Sequence, residues 1–192
     1  MSFSFHRGSL ALDFVGTVGS RASNKPEERL PDGAALHRWL GEAGMPVPAR
    51  IDQKELESAL ALREAIYLLG TNLLDGKLWP TATLDRVNRA ALGPEGGRRL
   101  AATGGARWVT ESPLRLALAR IAEDAIVRFA ADAKRLTRCK LPGCGALLLS
   151  SSRGEPRRWC NMETCGNRAK VASFRARMRR RKPAKSRHSS KA

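Results

Sequence analysis

The chain contains no cysteine before position 139 and none after 165, so all four of its cysteines fall within 27 positions. It has only three histidines, His6, His37 and His188, and aromatic residues make up 5% of its 192 residues. No run of 18 apolar residues occurs, which excludes a helical membrane span, and the opening MSFSFHRGSL lacks a basic-then-apolar export leader. A reducing, cytoplasmic location is therefore expected, where clustered cysteines serve as metal ligands more readily than as disulfides. There is no internal repeat, no phosphate-binding loop and no Ser/His/Asp order. His37 lies near Trp39 in an expected helix and reads as a packed or exposed side chain rather than a base. No enzymatic activity is expected. Acidic residues are missing from one region alone: none follows Glu163.

That last absence divides the chain. Residues 1–133 hold 17 Lys/Arg and 16 Asp/Glu, a net charge of +1, whereas residues 134–192 hold 18 Lys/Arg and 2 Asp/Glu, a net of +16. The overall +17 thus describes a near-neutral domain joined to a cationic one, and such asymmetry points to a polyanionic partner. Cations at this density attract phosphates mainly through counterion release, whatever the base sequence.

Periodicity within the neutral part is largely helical. Leu10, Leu12 and Phe14 alternate with Ala11, Asp13 and Val15, a pattern open to strand or helix. Residues 23–31 read as a loop. Asp32 is placed to cap a helix that buries Ala35, Leu36, Trp39 and Leu40. Asp52 and Glu55 form a capping-box pattern ahead of a long apolar face running through Leu56, Ala59, Ile66 and Leu69. Thr81 or Thr83 opens another helix, which Gly93-Pro94 closes. Two short stretches around Thr103-Gly104-Gly105 suggest a hairpin. Ser112-Pro113 then starts a helix expected to run to about Leu136 and lead straight into Cys139.

The cysteines are spaced Cys139-x4-Cys144 and Cys160-x4-Cys165, with fifteen residues between the pairs. Two short loops, each presenting two thiolates, suit the tetrahedral coordination of zinc. An iron–sulfur cluster usually takes a tighter, less symmetric run, and two disulfides need an oxidising compartment. One structural Zn2+ on Cys139, Cys144, Cys160 and Cys165 is expected, with no open position for substrate. A strand over 146–152, a turn at 153–156 and a return over 157–159 would bring the two loops together. After Cys165, Val171, Phe174 and Met178 form an apolar stripe at helical spacing. Arg168, Lys170, Arg175, Arg177, Arg179, Arg180 and Arg181 surround it, and Arg157 and Arg158 lie before Trp159. These nine cations are the candidate nucleic-acid contacts, to phosphates or to guanine edges. Trp159 reads as a cover for the metal site. Asp13, an acid in an apolar setting, reads as a cap or turn partner; in the alternative it joins Arg7 and Arg21 in holding a small anionic effector.

The segment WCNMETCGNRAK at 159–170, with RRW before it and FRAR at 174–177, resembles the CGNR zinc-finger family. LALDFVGT at 10–17, WL at 39–40, LREAI at 62–66 and LTRC at 136–139 resemble that family's partner domain, ABATE. The resemblance implies a bacterial stress-responsive transcription regulator in which the finger binds DNA, and it carries over the same four cysteine ligands. Gly16 stands where the family often has Asn, and Ser150 where it often has Asp.

The expected architecture is mainly α: a helical domain with a small β-hairpin over 1–136, a ββα-like zinc-binding module with a basic helix over 137–182, and a disordered basic tail over 183–192. The expected partner is double-stranded DNA. RNA or the ribosome, or a protein docked on a zinc-stabilised module, are the alternatives. The sequence does not give the oligomeric state.

Overall fold

A computed structural model describes residues 3–101, 104–150 and 156–181. Among them are six α-helices and three two-stranded antiparallel sheets. The expected tail, and 153–155 of the expected turn, lie outside the described residues.

The segment left open between strand and helix is a helix, α1 (Leu10–Val15). Its ends decide the matter. The Ser9 hydroxyl accepts from the Leu12 N–H, and the Asp124 carboxylate accepts from the Ala11 N–H at 2.8 Å, so two otherwise unsatisfied donors are capped. The alternating pattern misleads because Ala11, Leu12, Phe14 and Val15 are all buried, leaving no polar face. Within the segment called a loop, Glu27–Glu28 (β2) pairs with Val18–Gly19 (β1).

The next two helices start where side-chain caps place them, whereas the two after them have no side-chain cap. α2 (Gly33–Glu42) is capped by Asp32, which accepts from the Ala35 N–H at 2.7 Å. Its Trp39 packs against Phe5 and Phe14, with ring centroids 5.8 and 5.0 Å away. α3 (Gln53–Leu74) carries the reciprocal Asp52–Glu55 capping box and forms the central post of the core. α4 (Thr81–Ala91) packs on α3 and on α5 (Pro113–Ala131), whose first residue is the expected proline. Between them Gly97–Leu100 (β3) and Ala106–Val109 (β4) make the expected hairpin.

The structure departs from expectation after α5. The helix ends at Ala131, passes through a 3-10 turn at Ala133–Arg135, and continues as strand β5 (Leu136–Arg138). Asp132 takes part in the change of direction, with its carboxylate accepting from Arg128 at 2.9 Å and Arg135 at 2.6 Å. The expected pairing across the metal site also changes. β5 pairs with β6 (Leu147–Leu149), so the two strands flank the first cysteine pair, while 157–159 runs alongside without forming a strand. The Lys140 N–H donates to the Arg158 carbonyl at 2.8 Å.

β6 explains how finger and helical domain fit together. Successive side chains of a strand point to opposite faces. Leu147 and Leu149 enter the core built by α1, α3 and α5, whereas Leu148 enters a second cluster with Cys139, Cys160 and Cys165. One strand is thus shared by two cores. Gly70 on α3 permits the approach, since a Cβ there would lie 2.7 Å from Leu147 Cδ1. No helix among the described residues is long and apolar enough to cross a membrane.

Candidate metal centre and basic helix

The four cysteines come from two loops. Cys139 follows β5, and its N–H donates to Ala146 at 2.8 Å, closing the first loop around Cys144. Cys165 sits in a widened helical turn, Met162–Gly166, whose start is fixed by the Asn161 side chain accepting from the Thr164 N–H at 3.1 Å. The four Sγ atoms lie within 4.8 Å of one another. The Cys144–Cys160 and Cys144–Cys165 separations are 3.7 Å, and Cys160–Cys165 is 3.4 Å. A tetrahedron of sulfurs at ~2.3 Å from zinc has edges of about 3.8 Å. A disulfide needs ~2.0 Å, and all four cysteines are free. The donor set and its dimensions fit one zinc ion.

Electrostatics point the same way. Hydrogen bonds from Cys144 and Cys160 pull the Cys139 thiol down to about 2. A hydrogen bond with Cys139 pushes Cys144 up, and a second one with Cys139 pushes Cys160 up to about 12. Burial pushes Cys165 up to about 11. Four sulfurs held this close together do not readily carry four negative charges by themselves. A dication at their centre makes four thiolates compatible. The Cys160 N–H, 3.5 Å from Cys139 Sγ, supports that sulfur. Trp159 packs against the cluster, as a cover would.

The finger is tied to the helical domain by polar as well as apolar contacts. The Arg21 N–H donates to the Cys144 carbonyl at 3.0 Å, and the Leu149 N–H to Arg7 at 2.8 Å. The Tyr67 hydroxyl donates to Gly145 at 3.2 Å.

Beyond Cys165, α6 (Asn167–Arg181) projects with its described side chains exposed or half-exposed. Arg168, Lys170, Arg175, Arg177 and Arg179 lie on it without an ion pair among the described residues. At 100° per residue, Arg175 and Arg179 fall on one flank and Lys170 and Arg177 on the other. Val171, Phe174 and Met178 lie between them and are 48%, 55% and 49% exposed. Arg180 and Arg181 belong to the last turn of the helix. Arg158 is exposed, with its guanidinium 5.4 Å from the Trp159 ring. Arg157 is placed differently: its guanidinium donates to the carbonyls of His6 at 2.6 Å and Cys160 at 3.0 Å, bracing the finger against the N-terminal segment. Its backbone N–H donates to Ser150 Oγ at 2.9 Å, so the serine at this position supplies a hydrogen bond within the finger.

The three residues considered for an anionic effector are divided by the structure. Arg21 is bound by Glu64 at 2.7 Å and lies over the Tyr67 ring. Asp13 accepts from the Arg7 N–H at 2.9 Å, the turn-partner role. Arg7 is buried beside it. Sequence reasoning missed Arg63, 3% exposed on α3, which binds both carboxylate oxygens of Glu28 at 2.8 and 2.6 Å and also Glu64 and Thr17. The signal was available: Ala59, Arg63, Ile66 and Gly70 share one helical stripe.

Asp13 gives a pH-dependent prediction. Burial pushes its carboxyl from 3.8 up to about 6, against the opposing pull of the Arg7 N–H and guanidinium. The folded state therefore holds this proton more tightly than the unfolded chain does. The group's contribution to stability is complete below pH 4 and is lost as pH rises to about 6, a difference on the order of 3 kcal/mol. Asp13→Asn mimics the protonated acid and keeps the acceptor. Its melting temperature should exceed that of the parent at pH 7 and converge with it at pH 4. A gap that is constant across this range would show that Asp13 ionises freely in the fold.

The fold and site together define a helical domain fused to a structural four-cysteine zinc finger that ends in a basic helix. The ABATE family profile, described as "putative stress-induced transcription regulator", matches residues 8–132, and the CGNR zinc-finger profile matches residues 135–178. The chain belongs to the ABATE family and carries a CGNR zinc finger. Neither description is of an enzyme. No curated protein matches the chain.

Proposed function

We propose that this chain is a non-enzymatic, cytoplasmic, stress-responsive bacterial transcription regulator that binds duplex DNA through its zinc finger and α6. The observation carrying this reading is α6 itself: a 15-residue helix, pinned at its N-terminus by the metal centre, exposed or half-exposed over its described side chains and free of acidic residues. With side chains, a helix is ~10–12 Å across, and the major groove is about 12 Å wide. In the groove, the Val171–Phe174–Met178 stripe faces the base edges and thymine methyls. The cations on its two flanks reach the two phosphate strands. Arg158 adds a contact from the finger. The domains are proposed as 1–136, 137–182 and a tail, although β6 packs the first two together.

Duplex DNA is favoured over single-stranded nucleic acid because only Phe174 among the exposed residues of α6 offers a stacking face. The test is a competition. Zinc-loaded protein on labelled duplex DNA should be displaced by unlabelled duplex at lower concentration than by structured RNA of equal length. Preferential displacement by the RNA would move the function to RNA or the ribosome. Failure to bind either would favour a protein-docking module.

A further inference from the structure

A cavity of about 410 Å³ lies between the helical domain and the finger. One wall contains Ser4, Arg7 and Arg29, the last paired with Glu27 on the same wall; the other contains Asn161, Thr164 and Arg168, and the metal ligands Cys144, Cys160 and Cys165 also line the cavity. We propose that this cavity binds a small free metabolite bearing a carboxylate or phosphate, seated on the guanidinium of Arg7 and met from the finger side by Arg168.

Arg7 is the anchor of the site. It is only 8% exposed, and its buried Nε has no hydrogen-bond partner. Its NH1 donates to the Ser4 carbonyl at a long 3.3 Å, and the nearest carboxylate oxygen, on Asp13, is 3.9 Å away and already accepts from the Arg7 backbone N–H. A buried guanidinium left this far from compensation is costly unless a partner arrives. Arg63 shows what compensation looks like in the same molecule: it is buried more deeply still, and it faces two carboxylates and a hydroxyl at 2.6–3.0 Å. Arg7 has no such set, and it lines the cavity.

The glycine beside it supports the same reading. A Cβ at Gly16 would fall on the Arg7 guanidinium, so the absence of a side chain at position 16 lets the cation occupy its seat. Arg168 lines the opposite wall, exposed and without an ion pair among the described residues. A planar guanidinium matches a carboxylate or phosphate with two parallel hydrogen bonds. Since the walls come from both parts of the chain, an occupant stabilises the docking of the finger on the helical domain.

The experiment uses full-length, zinc-loaded protein titrated with inorganic phosphate and, separately, with citrate. Chloride at matched ionic strength is the control. Binding is followed by calorimetry and by thermal denaturation. Saturable binding of at least one anion is expected, with a melting temperature that rises with the logarithm of concentration once the site is filled. A response to citrate alone or to phosphate alone identifies the oxyanion. Arg7→Met should weaken binding by about 10- to 100-fold, the worth of hydrogen bonds to a charged group. Gly16→Ala keeps every charge but displaces the guanidinium, and should weaken binding in the same direction; it decides the matter if Arg7→Met does not fold. The triple variant Arg175→Ala, Arg177→Ala, Arg179→Ala should bind the anion as the parent does. The proposal is overturned by no saturable response to either anion, by unchanged affinity in the position 7 and 16 variants, or by loss of binding in the triple variant. It is also overturned if Arg7→Met hastens zinc loss to a chelator while anion affinity stays the same, because the guanidinium then serves the thiolates.

Discussion

Cys160→Ser is expected to purify without tightly bound zinc and to melt well below the parent protein, in its helical domain as well as its finger. Cys160 is the most connected of the four ligands. Its sulfur lies 3.7 Å from Cys144 and 3.4 Å from Cys165, and its N–H points at Cys139. Structural zinc contributes ~10–16 kcal/mol to the folding of small finger peptides, and a segment held by one strand pair and a few apolar residues has little else to stabilise it. The loss does not stop at the finger. Leu147 and Leu149 lie in the helical core on the same strand that puts Leu148 against the cysteines, so releasing the metal loosens a strand the core uses. Metal content per chain and thermal denaturation by circular dichroism measure both effects. Zinc retained at one per chain would show that the ligand set is wrong. An unaltered melting temperature of the helices would show that the finger is a separate module.

Replacing Arg175, Arg177 and Arg179 with Ala should weaken DNA binding with no change in zinc content or melting temperature. The three side chains are exposed and without ion pairs among the described residues, so their removal costs the fold nothing, and alanine favours helix. Each phosphate contact contributes about 0.9 to the slope of log affinity against log salt on duplex DNA. The slope should therefore fall by up to ~3 if all three contact phosphates. Weaker binding with an unchanged slope would place these arginines on base edges instead. No change in either quantity would move the interface off α6, to a surface such as the β3–β4 hairpin with Arg99 and Arg107.

The sequence made some of this architecture readable and hid the rest for identifiable reasons. Asp32, Asp52, Glu55 and Pro113 announce helix starts because capping is local chemistry, settled within four residues. The zinc ligands are legible for a similar reason, since ligand spacing within each loop is short. α1 was ambiguous because a helix buried on all sides has no polar face to reveal its period. The end of α5 and the β5–β6 pairing were misplaced because they depend on distant partners. Leu147 and Leu149 are drawn into a core formed by α1, α3 and α5, and no nearby residue records that demand. The run Leu147-Leu148-Leu149 did carry a trace of it, being apolar on both faces of a strand. Arg7 and Gly16 show the same limit at the scale of single side chains. They are nine residues apart, and only the fold shows that one fills the space the other leaves open.

The central claim is that a zinc-organised basic helix reads duplex DNA. Selection from a random duplex library with full-length, zinc-loaded protein tests it most directly. Enrichment of a defined sequence is expected, abolished when a chelator removes the metal. Recovery of all duplexes alike, or the same enrichment after the metal is stripped, would contradict it.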